Sequence, residues 1–374
     1  MTPTPDEILQ QIYEKVTARL NEAWIVETDI FRRVELVSRN INNRAGVRAL
    51  LACALAKVHD VHIDIRKPYT EIGDTDTFSG RAYDERFIAP FITQHNLPCN
   101  PTTAFLTPAL RNRNTVLTPD LNLSGRPKQV YDALLQLLAD VYEGRITAQQ
   151  LLSETIRQLI LLRNEKQQRM ASLLANLKSR YGDVSLSAEQ IITLIQQHLV
   201  TKGSSRLPVL IVTAAYITAR PYLQERALPL QAHNAADSQT QALGDVQITL
   251  ENEDNIITCY EMKSKKVVIG DIDLAVNHKL SKTPHRVDNY IFITTEPIDE
   301  AVSTYARNLY DQLGVEIVIL DCIGFLRHFL HLFHRHRMTF LDHYQDLVLA
   351  EPDSAISQPL KEVFLTLRQA AESD

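Results

Sequence analysis

Residues 243–267 read LGDVQITLENEDNIITCYEMKSKKV, and no other stretch restricts the fold so tightly. Val246, Ile248 and Leu250 alternate with Asp245, Gln247 and Thr249. A period of two puts an apolar and a polar face on one strand. The polar run Glu251 to Asn255 predicts a turn, and Ile256 to Lys263 predicts a second strand rich in β-formers. The pair reads as a hairpin, with an Asp at the start of one strand and Glu-x-Lys at the end of its partner. Glu261 and Lys263 are two apart, so they share a face.

That pattern points to a particular chemistry. Two carboxylates converging at a strand end suit Mg²⁺, a hard cation that takes oxygen ligands in octahedral geometry. The expected ligands are Asp245, Glu261 and the Met262 backbone carbonyl. Lys263 would stand beside them, to orient a water, lower its pKa or hold a scissile phosphate. Phosphodiester hydrolysis needs a Lewis acid, a positioned nucleophile and positive charge against building negative charge. A solvated hairpin edge is the other reading of the same residues.

Further strands come after the hairpin. Residues 290–295 and 315–321 read as buried strands, with helices over 271–280, 299–313 and 324–336. Strand–helix–strand–helix after a hairpin predicts an α/β layer with a mixed sheet. A chain of 374 residues is long enough for two domains. The expected division is a mostly helical domain over 1–184, with a long loop region, and a catalytic domain over 185–374.

In the first part, residues 5–25 predict an amphipathic helix. Arg32, Arg33, Arg39, Arg44 and Arg48 come next against the single acid Glu35, before the apolar ALLACALAKV. These arginines are candidates to grip phosphates or to form salt bridges. Residues 61–127 read as irregular, and a long irregular segment in a compact chain is usually functional. Arg81, Arg111, Asn112, Arg113, Asn114 and Arg126 are the residue types that read base edges. Residues 128–181 carry leucine stripes at helical spacing.

In the second part, Ser187 predicts a helix cap with Gln190 in reach, and Pro208 opens an apolar helix that Arg220-Pro221 is expected to end. Glu225, His233, Asp237 and Gln247 lie before or within the hairpin as supporting or second-ligand candidates. Lys265 and Lys266, then Lys279, Lys282, His285 and Arg286, make the chain basic after Glu261, where a phosphate backbone would lie. His328, His331, His334, His336 and His343 lack the four-residue spacing usual for zinc on a helix.

Composition narrows the classes. The net charge of −6 argues against an indiscriminate nucleic-acid coat but leaves room for one basic cleft. Four cysteines without a C-x-x-C pair fit a reducing cytoplasm. There is no long apolar run and no signal-like start, so no membrane partner is expected. Pro98-Cys99 and Phe78-Ser79-Gly80 echo cytosine methyltransferase motifs, but no strand–Gly-rich–helix unit precedes them.

Asp245, Glu261 and Lys263 together resemble the PD-(D/E)XK nuclease signature, with Gly244 where the leading Pro would stand. Over about residues 38–270 the chain resembles the SacI-type family of Type II restriction endonucleases. The stretches that carry the likeness are RNINNRAGVRALLA, DIRKPYTEIGDTDTFSGRAYDE, NPTTAFLTPALRN, GSSRLPVL and HNAADSQTQALGDVQITLENED…YEMKSK. The resemblance implies a PD-(D/E)XK core, Mg²⁺-dependent cleavage of double-stranded DNA at a short palindrome, and a homodimer. The family's namesake cuts at GAGCTC, which becomes the expected target. A cognate DNA methyltransferase is expected in the same system, though not as a physical partner. Some members have Glu where Gln247 stands, which leaves the number of metal ions open. A shape-specific repair or junction nuclease, and a DNA-binding protein on a degenerate nuclease fold, are the alternatives.

Overall fold

In the computed structural model, described over residues 3–178, 185–230 and 242–373, the chain forms two compact units, 1–169 and 170–374. The division falls inside a long helix, not near residue 184, and 179–184 lie outside the described residues.

The first unit is helical. α1 (Pro5–Ala18) starts with a capping box: the Thr4 hydroxyl accepts from the Glu7 N–H, and the Glu7 carboxylate accepts from the Thr4 N–H. α2 (Thr28–Arg39) presents Ile30, Val34 and Val37 inward. α3 (Ala45–His59) is buried from Ala45 to Ala56, because it is apolar nearly all round. α1, α2 and α6 (Lys128–Tyr142) pack on it.

Residues 61–127 are less irregular than their composition suggests. α4 (Gly80–Tyr83), a π-turn (Asp84–Ile88) and α5 (Ala89–Gln94) run on from one another. Gly80 and Pro90 read as breakers. Yet a Cβ at Gly80 would come within 2.5 Å of the Phe105 ring, and Pro90 follows directly on the π-turn, whose wider ladder already carries the Ala89 N–H to the Asp84 carbonyl. α7 (Ala148–Lys178) opens in the core of the first unit with Leu151, Leu152 and Ile156; Leu177 belongs to the core of the second.

Three of the arginines of α2 and α3 have structural partners, and Arg32 is exposed. Arg33 pairs with Asp29 and Asp140, and Arg39 with Glu165. Arg48, 2% exposed, is held by Asp84 and by the carbonyls of Asn100 and Pro101. It cannot reach a phosphate.

The second unit is α/β. α8 (Ala188–Leu199) has the expected cap, with the Ser187 hydroxyl accepting from the Gln190 N–H. α9 (Leu207–Leu223) continues past Pro221 to an αL cap at Gln224, so Pro221 does not end it. β1 (Glu225–Ala227), β2 (Val246–Leu250), β3 (Ile256–Lys263), β4 (Asn289–Thr294) and β5 (Glu316–Asp321) form one sheet in that order. β1–β2 and β2–β3 pair antiparallel; β3–β4 and β4–β5 pair parallel. The sheet is therefore mixed. Between β3 and β4 run α10 (Ile269–Leu274), a π-turn (Ala275–Lys279) and a 3₁₀ turn (Leu280–Lys282). α11 (Glu300–Asn308) and α12 (Tyr310–Leu313) lead to β5, and Gly314 closes α12 at φ 64°. α13 (Cys322–Leu332), α14 (Arg337–Ala350) and α15 (Gln358–Ala371) complete the chain.

The two sheet faces bury different sets. Val246, Ile248, Tyr260 and Ile293 face a core with α8, α9, α13, α14 and α15. Cys259, Tyr290, Phe292 and Ile317 face a smaller one with Ile272, Ala275 and Val302 from the crossover helices. Among the described residues no helix is long and apolar enough to cross a membrane.

One buried histidine makes stability depend on pH. His198 is fully enclosed, with Nδ1 beside the Tyr344 hydroxyl and Nε2 beside the Leu360 carbonyl. Burial lowers its pKa to about 4. The unfolded chain, with an ordinary value near ~6.5, binds the proton first. Stability should therefore fall as pH drops from about 6.5 to about 4, by roughly 3 kcal/mol from this group. Urea denaturation across that range measures it, and His198→Gln should flatten that part of the profile.

Candidate active site at the start of the hairpin

The site grows out of the β2–β3 register. Val246 pairs with Tyr260 and Gln247 with Cys259, so continuing one step sets Asp245 opposite Glu261. Strand alternation puts Asp245, Gln247, Cys259, Glu261 and Lys263 on the same face, that of the smaller core. The structure thus brings the two carboxylates and the Glu-x-Lys lysine together.

Asp245 is anchored from one side. Its Oδ2 accepts from the Met262 N–H at 2.7 Å, so the Met262 peptide lies against the carboxylate. The outer part of Asp245 stays open to solvent, yet the surrounding protein raises its pKa. Burial is the largest cause; the Met262 N–H opposes it, the Glu261 charge adds to it, and Lys279 and Arg206 oppose it. A group that resists ionisation in the free protein gains from a cation beside it.

Gly244 explains the missing proline. A Cβ there would stand 2.6 Å from the Tyr260 carbonyl oxygen, inside any real contact. Only glycine lets the segment come this close to β3, and that approach delivers Asp245 to Met262.

Glu261 is held by more groups than the sequence indicates. Its Oε1 lies 3.4 Å from Lys263 Nζ. Its Oε2 accepts from Lys279 Nζ at 2.9 Å and lies 3.2 Å from the Tyr290 hydroxyl. The Tyr290 hydroxyl also lies 2.9 Å from the Leu243 carbonyl. Lys263 reaches Asp271 Oδ1 at 3.3 Å, while Asp271 Oδ2 accepts from the Val268 N–H. Tyr290 pairs with Cys259 in the parallel β3–β4 register, which aims its ring at the same face. Lys279, Tyr290 and Asp271 had no mark in the sequence beyond a general basic tract.

Asp245 and Glu261 offer hard oxygen donors, and the second oxygen of Asp245 points away from its hydrogen-bonded one. This donor set fits Mg²⁺ or Ca²⁺ and suits zinc poorly. No cluster of three or more His, Cys, Asp or Glu side chains forms a ready-made metal cage among the described residues. Two carboxylates with a backbone carbonyl is a composition common for Mg²⁺, which keeps several waters.

Other candidates lie elsewhere. Glu225 is opposite Leu250, at the far end of β2 from Asp245, so it does not support the pair. Gln247 is on the site face, one pleat further in. His233 and Asp237 lie outside the described residues. Lys265 is exposed, and Lys266 pairs with Asp299 at 3.0 Å. His331 is near Glu189, His343 is bonded to Thr218 and His336 packs on the Tyr222 ring.

The base-reading candidates all belong to the first unit. Arg111 and Asn112 are exposed on a turn, with Asn112 and Asn114 at positive φ. Arg113 is committed to that turn: Nε donates to the Ala109 carbonyl and an Nη to Ser124 Oγ. Arg81 pairs with Glu85 at 2.7 Å on the surface. Arg126 is exposed at the rim of a cleft of about 410 Å³, with Asn42, Asn43, Arg44 and Asn100 around it. The echoes of a methyltransferase come to nothing structurally. Ser79 caps α4, and burial pushes the Cys99 thiol up to about 12, far from a nucleophile's range.

No protein-family model matches this sequence, and no curated protein matches it.

Proposed function

We propose that the chain is a Mg²⁺-dependent endonuclease of the PD-(D/E)XK type that cleaves double-stranded DNA at a short palindromic site as a homodimer. The observation that carries the reading is the shared face of Asp245, Glu261 and Lys263, with Asp245 fixed on the Met262 N–H. The order hairpin, crossover helix, parallel strand, helix, parallel strand is compatible with such a core.

Asp245, Glu261 and the Met262 carbonyl would hold the ion, which when bound supplies Lewis acidity at the phosphate and a lowered pKa for water. Lys263 orients the attacking water or takes a phosphate oxygen. Its ammonium is partly exposed, and Asp271 steadies it from behind. Lys279, with the Tyr290 hydroxyl beside the same oxygen, holds Glu261 in place. In the first unit, the exposed Arg111, Asn112 and Arg126 stand on the surface to read bases or meet phosphates. A two-fold dimer would present the same surface to each half of a palindrome.

The decisive experiment is digestion of a sequenced plasmid with Mg²⁺ and mapping of the ends. Discrete bands at one short palindrome, GAGCTC being the expected one, support the reading. Cleavage at branched or damaged DNA without sequence preference would favour a repair or junction nuclease, and binding without any cleavage a degenerate fold. Within this reading, Arg111→Ala should lower discrimination between target and near-target sites by about 1–3 kcal/mol if the guanidinium reads a base edge. Binding measured on both duplexes tests it: equal losses on the two mean a phosphate contact instead.

A further inference from the structure

The Glu261 carboxylate already has a cation on it. Lys279 stands at the end of the π-turn after α10. A π-turn widens the helix by one residue and re-aims the side chains beyond it, and such turns gather at functional sites. Here the effect is to bring an ammonium, 10% exposed, to 2.9 Å from Glu261 Oε2. Lys263 faces the other oxygen at 3.4 Å. In the free protein, two lysines thus stand against Glu261, one of them shared with Asp271, and the Glu261 charge is largely offset before any ion arrives.

We propose that Lys279 is a positioning residue that occupies Glu261 as an internal cation and so sets the affinity of the site for a divalent ion. The inference rests on the metal reading above. An ion on Glu261 must share the carboxylate with Lys279, and an extra ammonium within a few ångströms repels it in a partly desolvated site. Binding to the protein alone is therefore weak. A phosphate arriving at the site gives Lys279 and Lys263 another partner, which frees Glu261; ion and phosphodiester then load together. The Tyr290 hydroxyl has one proton, which goes to the Leu243 carbonyl at 2.9 Å or to the Glu261 oxygen at 3.2 Å, so it can turn to Glu261 when Lys279 leaves.

The test uses the full chain without DNA and titrates Ca²⁺ by calorimetry, comparing wild type with Lys279→Met, Lys279→Gln, Lys279→Arg, Lys282→Met and Asp245→Asn. Melting temperatures identify variants that keep the fold, and the glutamine variant stands in if the methionine one does not. Removing the Lys279 charge should tighten Ca²⁺ binding about tenfold, which is roughly 1.4 kcal/mol. Lys279→Arg and the exposed Lys282→Met should stay near wild type, and Asp245→Asn should bind most weakly. A merely structural lysine would leave affinity unchanged or lower it. If both neutral variants bind Ca²⁺ no more tightly than wild type while Asp245→Asn loses it, the role of Lys279 is overturned and the metal site stands. Absence of Ca²⁺ binding in every variant overturns both.

Discussion

Lys263→Ala is expected to reduce Mg²⁺-dependent nicking of supercoiled plasmid on the order of 10²- to 10³-fold, the loss seen when one preorganised charge is removed from a reacting centre. The fold should survive. Lys263 is the last residue of β3, its contacts are to Glu261 and Asp271, and its head is partly open to water. Asp245→Asn should cost at least as much in rate. The amide keeps an oxygen for the Met262 N–H but loses the charge a divalent ion needs. DNA binding, read by gel shift with Ca²⁺ in place of Mg²⁺, should persist in Lys263→Ala. Wild-type rates in either variant would remove the hairpin from the chemistry, whatever else the protein does.

The second large effect is on stability. Asp84→Ala should destabilise the first unit by about 3–5 kcal/mol, because it leaves a buried guanidinium without its charge partner. Arg48 has almost no exposed surface, and Asp84 has none. Asp84 also accepts from the Thr103 hydroxyl at 2.6 Å and from the Ala104 N–H at 2.8 Å, so one carboxylate ties α3 to the 100–104 segment. Replacing both partners, as in Arg48→Met with Asp84→Leu, should be less harmful than Asp84→Ala alone. Urea denaturation of the three proteins decides it. An Asp84→Ala loss below about 1 kcal/mol would mean that solvent reaches the guanidinium after all.

These two regions differ in how far the chain's letters disclosed them. The hairpin was legible because its logic is local: strand alternation and a short turn place Asp245 and Glu261 side by side within one supersecondary unit. Lys279 and Tyr290 were not legible as site residues. They reach Glu261 only through the parallel crossover, and the Cys259–Tyr290 register is set by packing of the smaller core. β1 is hard to see in the letters because Glu-Arg-Ala has little strand propensity and pairs for only three residues. Arg48 misleads for the opposite reason. A lone charge on an apolar helix reads as a surface feature until its partner, 36 residues later, is brought beside it. Pro221 reads as an end, yet α9 runs two residues past it; the bond lost is the one to the Ile217 carbonyl a turn back, at a partly exposed position where water can replace it.

The β2–β3 pairing changes step once, between Ile248 and Thr249. On the Asp245 side of that irregularity, three consecutive pairs run in one register; on the other, Thr249 meets Ile256 a residue early, and Leu250 turns outward. A slip by one residue normally throws a whole strand onto its wrong face. Here the mismatch is absorbed midway, so the spacing between the acidic groups is insulated from the length of the 251–255 connection. A one-residue change in that connection should leave the two carboxylates with the partners they have now.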